Sequence, residues 1–324
     1  MITKKEKYLC AIYGLALIFL FLASSTDLII KERAVEVYPV SVIIEGTSDE
    51  NYVNFRKGMD QAAMELNADV SFITLYDENS RSQQIQLMER EKEDGVKAMI
   101  VMPVDADEIR AAVSQSLAAV PLVFLGDQSA AGQGGAGVTA DYFSMGQQLA
   151  ARILERHGTK LPVYLLQGET GNTVVSRFEA GISSELKARG CEAVPVVRDP
   201  EEGFRMFLEQ LAEENGEPAV LAALDSQSLK AAADLLDGSR ELSAAVAGLY
   251  GRGTSVQILN YLDEGVIAGL AVTDDFSAGY LSVKAAVEAA AGRQKKESLV
   301  LDSFYIEKED LRSPEYEKML YPIE

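Results

Sequence analysis

The stretch Lys97–Gln128, KAMIVMPVDADEIRAAVSQSLAAVPLVFLGDQ, constrains the fold of this chain more than any other. Two short apolar runs, Ala98–Met102 and Pro121–Leu125, bracket a segment in which Ile109, Ala112, Val113, Ser116 and Leu117 recur at helical spacing. Strand, helix and strand within about 30 residues make a βαβ unit, whose strands must be parallel. Each run passes directly into polar or turn residues, Pro103-Val104-Asp105 after the first and Gly126-Asp127-Gln128 after the second. Ligands of open α/β sheets bind beyond the carboxyl ends of the strands, so function is sought first in those two loops.

The same alternation runs along the chain. Val37–Glu45 and Asp69–Leu75 read as strands, separated by a helical stripe of Phe55, Met59, Ala62, Ala63 and Leu66. Helix Ser80–Asp94 precedes the βαβ unit. A Gly/Ala-rich loop, Ser129–Gly137, and an extended piece, Val138–Ala140, follow it. Met145, Leu149 and Ile153 then mark a helix ending at Gly158. The pattern restarts at Pro162–Leu166 and ends with a single strand, Leu299–Ile306, and a short helix opened by Ser313-Pro314. Such a chain of 324 residues, 48% of them hydrophobic, makes two doubly wound α/β halves with helices on both sheet faces. Its net charge of −20 excludes nucleic-acid binding, which needs basic surface to displace counterions.

Lys4, Lys5 and Lys7 precede the apolar run Tyr8–Ala23, and a second apolar patch, Leu28–Ile30, follows Ser24-Ser25-Thr26-Asp27. Residues 1–7 thus read as a cytoplasmic flank and 8–30 as a signal anchor or a cleaved signal peptide, with Ala23 and Ser25 as small residues before a cut. The lysines hold that end inside, so everything after Arg33 is expected outside the cytoplasm. Cys10 lies before the apolar run rather than after it, which excludes a lipobox.

Several motifs succeed one another from Val37 to Ile306. They are Asn51–Gly58 after the first strand, Ala98–Pro103 with Asp105, Pro121–Asp127, and Thr139-Ala140-Asp141 opening a helix with Gly146. Gln167-Gly168 with Arg177 and Gly181, Ala219–Asp225, Val246-Ala247-Gly248 and Glu264–Ile267 with Gly279 complete the series. This order resembles the type I periplasmic (solute) binding proteins, ribose/galactose branch. The resemblance implies two Rossmann-like lobes joined by three crossings, near Ala140, Thr273-Asp274 and Ser298. The first lobe would hold 38–140 plus 274–297, and the second 141–273 plus 298–324. It implies further that the lobes close on a ligand by hinge motion.

It also implies where a ligand would touch. The loop after the first strand offers Asp49, Asn51 and Tyr52, with Tyr52 available to stack on a sugar face or to pack under its own helix. Asp105 follows the second motif. The family's first-lobe carboxylate falls on Gly126, with Asp127 one place later. Asp141 at the first crossing matches an acid that contacts ligand or caps the following helix. The arginine of the second lobe aligns with Ser176, beside Arg177. The expected Asn, Asp and Gln fall on Leu224, Tyr250 and Thr273, with Asp225 and Asp274 next to the first and last. At least four polar ligands of a monosaccharide pocket are therefore replaced. A less polar ligand, a modified sugar and a divergent pocket all stay open.

Catalytic signatures do not emerge. Gly132–Gly137 spells G-x-G-x-x-G, but Val138-Thr139-Ala140 separates it from any helix, so it offers no pyrophosphate site. No P-loop, nucleophile elbow or metal-spaced His/Cys set occurs in the sequence, so no cofactor or metal is expected. The one histidine, His157, ends a helix where a partly positive ring suits the dipole. The acidic pairs Glu201-Glu202 and Glu213-Glu214 read as solvated helix faces. The expected role is an extracellular solute-binding protein, not an enzyme, taking a sugar-like ligand and serving an ABC permease or a membrane sensor kinase. The alternative is a ligand-free interaction module. A repressor would need a basic helix-turn-helix where the apolar run lies.

Overall fold

The computed structural model of the protein describes residues 4–25, 36–77, 79–126, 136–168, 173–214, 216–293 and 298–322. Helix α1 (Lys4–Ser25) is one compact unit with its flank, and Tyr38–Glu324 form another. At 1.5 Å per residue α1 is about 33 Å long, and it is apolar enough to cross a bilayer.

The second unit contains β1 (Tyr38–Ile43), α2 (Val53–Leu66), β2 (Ala68–Ile73), α3 (Arg81–Glu93), β3 (Ala98–Val101), α4 (Ala106–Ala112), β4 (Leu122–Leu125) and β5 (Ala136–Ala140). It continues through α5 (Tyr142–His157), β6 (Val163–Gln167), α6 (Thr173–Ala188), β7 (Ala193–Val197), α7 (Arg205–Glu213), β8 (Ala219–Ala223), α8 (Ser226–Gly238) and α9 (Arg240–Ala244). It closes with β9 (Val246–Arg252), α10 (Val256–Glu264), β10 (Gly269–Thr273), α11 (Asp275–Ala290), β11 (Ser298–Leu301), β12 (Ser303–Ile306) and α12 (Pro314–Leu320). One six-stranded sheet runs β11-β5-β4-β3-β1-β2, with every pairing parallel. The other runs β12-β10-β9-β8-β6-β7, with only β12 antiparallel. Every residue of β3, β4 and β8 is buried, as helices on both sheet faces require. The organising unit is therefore β3–α4–β4, its helix prolonged by a π-helical turn, Val113–Leu117.

Each lobe is built on one close helix crossing. In the first, Gly58 of α2 lies against the backbone of Phe276, and Gly279 of α11 against that of Phe55. In the second, Gly146 of α5 lies against Phe178, and Gly181 of α6 against Phe143. A Cβ at any of the four would overlap a carbonyl oxygen, so only glycine permits this approach. The apolar stripes flanking each crossing, such as Phe55, Met59 and Ala62 on α2, pack on the sheet.

The expected final strand is two strands. Leu301 pairs with Ala140 in the first sheet, and Ser303 pairs with Thr273 in the second. Asp302 alone carries the chain across, so the third crossing lies there and not near Ser298. Ser298–Leu301 accordingly belong to the first sheet, not the second. The other two sheet changes fall after Ala140 and after Thr273. Glu201-Glu202 are not on a helix: Asp199 Oδ1 accepts their backbone N–H groups at 2.9 and 2.8 Å in a turn that precedes α7.

His157 also departs from expectation. Its Nε2 lies 2.8 Å from the Tyr250 hydroxyl, and burial, then Arg156, lower its pKa. The ring is held toward neutrality by desolvation and by the neighbouring positive charge of Arg156.

Candidate functional site

The carboxyl ends of both sheets open onto one cleft. An inner cavity of ≈ 120 Å³ lies against the first and second crossings. An outer one of ≈ 480 Å³ adjoins it, and Glu45, Asn51, Tyr52, Ser226 and Arg252 line both. The first lobe contributes the loop after β1, Met102 after β3, Leu125 and Leu301. The second contributes Ser226, the tip of β9 and the end of β10.

Local chemistry fixes each of these positions. Tyr52 precedes α2 and packs against Phe55 and Phe72, with ring centroids 6.3 and 5.7 Å away, while its hydroxyl donates to Met102 Sδ at 3.2 Å. Tyr52 thus packs under its own helix and also lines the inner cavity. Met102 is held by the buried Gln84, whose Nε2 donates to the Met102 carbonyl at 2.8 Å and whose Oε1 accepts from Val104 N at 2.9 Å. Gly126 ends β4 with φ +86°, a left-handed conformation that disfavours any side chain at the position where the resemblance expects a carboxylate. Asp127 lies outside the described residues.

The two crossings are built alike. Asp141 caps α5 by accepting from Ser144 N at 3.1 Å, and the next residue, Tyr142, lines the inner cavity. Asp274 caps α11 by accepting from Ser277 N at 2.9 Å and Ser277 Oγ at 2.6 Å, and the next residue, Asp275, lines it. The capping carboxylates are spent on backbone, and the cleft is served one position later. Asp275 accepts from Thr254 and, at 3.0 Å, from Thr273, which also faces the cavity. Burial raises its pKa, against the lowering effect of those hydroxyls and of Arg252. Burial likewise raises the Tyr52 and Tyr142 phenols, which stay neutral donors.

Arg252 stands at the carboxyl end of β9, stacked over the Tyr142 ring at 5.2 Å. Its Nη1 is buried without a hydrogen-bond partner among the described residues. The family resemblance points instead to Tyr250, two residues earlier. That side chain is wholly buried in the second-lobe core, with its phenol pushed up to about 12 by burial. The strand runs two residues further than the motif suggests, and only its last residue reaches the cleft.

Asn51, Tyr52, Asp225 and Thr273 therefore line the cleft, with Asp225 in its outer part, where it also caps α8 through Ser228 N at 2.7 Å. The other described candidates do not. Asp49 pairs with Arg56 at the surface. Asp105 caps α4 through Asp107 N and Glu108 N, each at 3.0 Å, and pairs with Arg81. Ser176 and Arg177 are exposed on α6 and line neither cavity, whereas their neighbour Val175 lines the outer one. Arg252, Asp275, Tyr142 and Glu45 were missed. The N-cap rule could have found Asp275 and Tyr142, because a capping Asp turns the following residue inward at both crossings. Of the G-x-G-x-x-G stretch only Ala136 and Gly137 are described, and they open β5, not a helix.

Two doubly wound lobes whose strand ends face one cleft define the type I periplasmic binding protein fold. A model of the periplasmic binding protein domain matches residues 40–294, and the chain belongs to that family, whose members bind solutes without catalysis. Among solved structures, it is similar to an ABC transporter solute-binding protein from Agrobacterium vitis bound with alpha-D-tagatopyranose. The two are 18% identical with a TM-score of 0.75, over 88% of this chain and 100% of that one. A solute-binding protein from Bacillus halodurans with bound myo-inositol is 20% identical, TM-score 0.75, over 89% and 99%. GanP, a glucose-galactose binding protein from Geobacillus stearothermophilus, is 17% identical, TM-score 0.71, over 86% and 99%. At these identities the likeness is one of fold. No curated protein matches the sequence.

Proposed function

We propose that the chain is an extracytoplasmic receptor for a small polyhydroxylated solute of the sugar class. The observation that carries this reading is the inner cavity, which takes hydrogen-bonding side chains from both lobes, Asn51 and Tyr52 from one and Arg252 and Thr254 from the other. A solute bonded to both lobes favours the closed arrangement by its differential affinity, and that is the signal a partner reads. Tyr52 and Tyr142 supply aromatic faces, and Asn51, Thr254, Thr273 and Asp275 supply donors and acceptors for hydroxyls. Asp225 and Asn51 extend the contact set toward the mouth. The sugars and inositol in the related structures fit this chemistry.

The receptor is held at the membrane by residues 8–30, or is released by cleavage there, with the two-lobed unit outside the cell. The apolar helix behind three lysines supports that orientation. An ABC permease is the partner the family implies, and a membrane sensor kinase is the partner that an uncleaved anchor favours. A thermal-shift screen of the detergent-solubilised chain against neutral and acidic sugars and polyols tests the role. A ligand at 100 times its Kd should add about 2.7 kcal/mol of stability. Silence across the whole panel would favour a ligand-free interaction module.

A further inference from the structure

The inner cavity holds a guanidinium nitrogen that the described residues leave without a hydrogen bond. Arg252 reaches it from the end of β9, and its guanidinium has no ion pair and no side-chain hydrogen bond among the described residues. Its one close partner is the Tyr142 ring, which offers a quadrupole rather than a counter-charge. A guanidinium nitrogen buried without a partner is costly unless an acceptor comes to meet it, and a carboxylate is the strongest such acceptor. The acids nearby share its field, since Arg252 favours the ionised form of Asp275, but neither pairs with it directly. Asp275 is engaged by the hydroxyls of Thr254 and Thr273, and forms no ion pair with Arg252. Glu45 lines the same cavity from the opposite lobe and also forms no ion pair with Arg252.

We infer that the ligand is a sugar acid, a small polyhydroxylated carboxylate whose carboxylate pairs with Arg252 while its hydroxyls donate to Asp275 and Glu45. A planar guanidinium at the end of a strand presents a fork that matches a carboxylate edge to edge. A neutral sugar of the same size satisfies the two acids equally well but brings Arg252 only hydroxyl dipoles. Discrimination therefore rests on this one residue. The inference depends on the solute-binding reading above.

Calorimetry on the detergent-solubilised full chain tests it with matched pairs: D-glucuronate against D-glucose, D-galacturonate against D-galactose, and D-gluconate against myo-inositol. At least one acid should bind tenfold or more tighter than its neutral counterpart. Arg252→Gln should remove that preference while Arg252→Lys keeps part of it, and rising salt should weaken the acid alone. Equal or tighter binding of the neutral sugars would overturn the inference and leave the receptor role standing. Binding of neither class would overturn both. The wild-type ratio decides the matter even if Arg252→Gln fails to fold.

Discussion

Replacing Gly58 by alanine tests the helix crossing that carries half the cleft. The new Cβ would overlap the Phe276 carbonyl oxygen and sit 3.0 Å from Tyr280 N, both of them backbone atoms that move only with α11 itself. Overpacking against backbone lies in the upper part of the usual range, about 2–3 kcal/mol. Alanine regains about 1 kcal/mol of helix propensity, leaving a net loss of roughly 1–2 kcal/mol. The expected fall in melting temperature is a few degrees, roughly 2–6 °C. Gly279→Ala should match it, because its Cβ meets the Phe55 carbonyl from the other side of the same contact. Once the first alanine has pushed α2 and α11 apart, the second should add little, so the pair should be sub-additive. Gly58→Ala with Gly146→Ala should be additive, since those crossings lie in different lobes. Gly238→Ala is the control: no atom lies within 4 Å of its Cβ, and a gain of about 0.5 kcal/mol is expected. Urea unfolding and melting of the detergent-solubilised chain read all five. Gly58→Ala melting with wild type, or full additivity of Gly58→Ala and Gly279→Ala, would refute this role for the crossing. Because α11 begins at Asp275, separation of the helices should also weaken ligand binding.

Three further outcomes are expected. Burial raises the Asp275 pKa in the folded chain, so the folded state holds this proton more tightly than the unfolded one. Its contribution thus favours folding at acidic pH and is lost as pH rises through the folded value; the urea midpoint of Asp275→Asn should lack that fall, and a steeper fall would refute the assignment. Asn54 is buried and donates from Nδ2 to the Leu320 carbonyl at 2.9 Å, tying α2 of the first lobe to α12, whose Leu320 packs in the second-lobe core. Asn54→Ala should therefore cost about 1–2 kcal/mol in urea unfolding, more than Lys57→Ala, whose bond to Pro322 O is only part-buried. Tyr250→Phe should lose about 1 kcal/mol with the His157 bond yet leave ligand affinity unchanged, as should Arg177→Ala, while Tyr52→Ala should weaken binding. A binding defect in Arg177→Ala would contradict its exposed position.

Periodicity alone determined the architecture. Apolar runs of four to six residues alternating with 3.6-period stripes admit little besides parallel sheets covered on both faces, because both local patterns and the burial they demand agree. The βαβ stretch was legible in this way, whereas the lobe crossings near Ala140 and Thr273-Asp274 came only with the family resemblance, and the close packing at Gly58, Gly146, Gly181 and Gly279 only with the structure. The cleft was legible only in part: the strand ends came from the pattern, and Asn51, Tyr52, Asp225 and Thr273 from the family resemblance. Register decided the rest. A strand that runs two residues further replaces Tyr250 with Arg252, a cap that consumes Asp274 hands the cavity to Asp275, and a break at Asp302 divides one apparent strand between two sheets. Hydrogen-bond pairing and side-chain direction set such shifts over one or two residues. Those are tertiary quantities, and local composition is the same on either side of them.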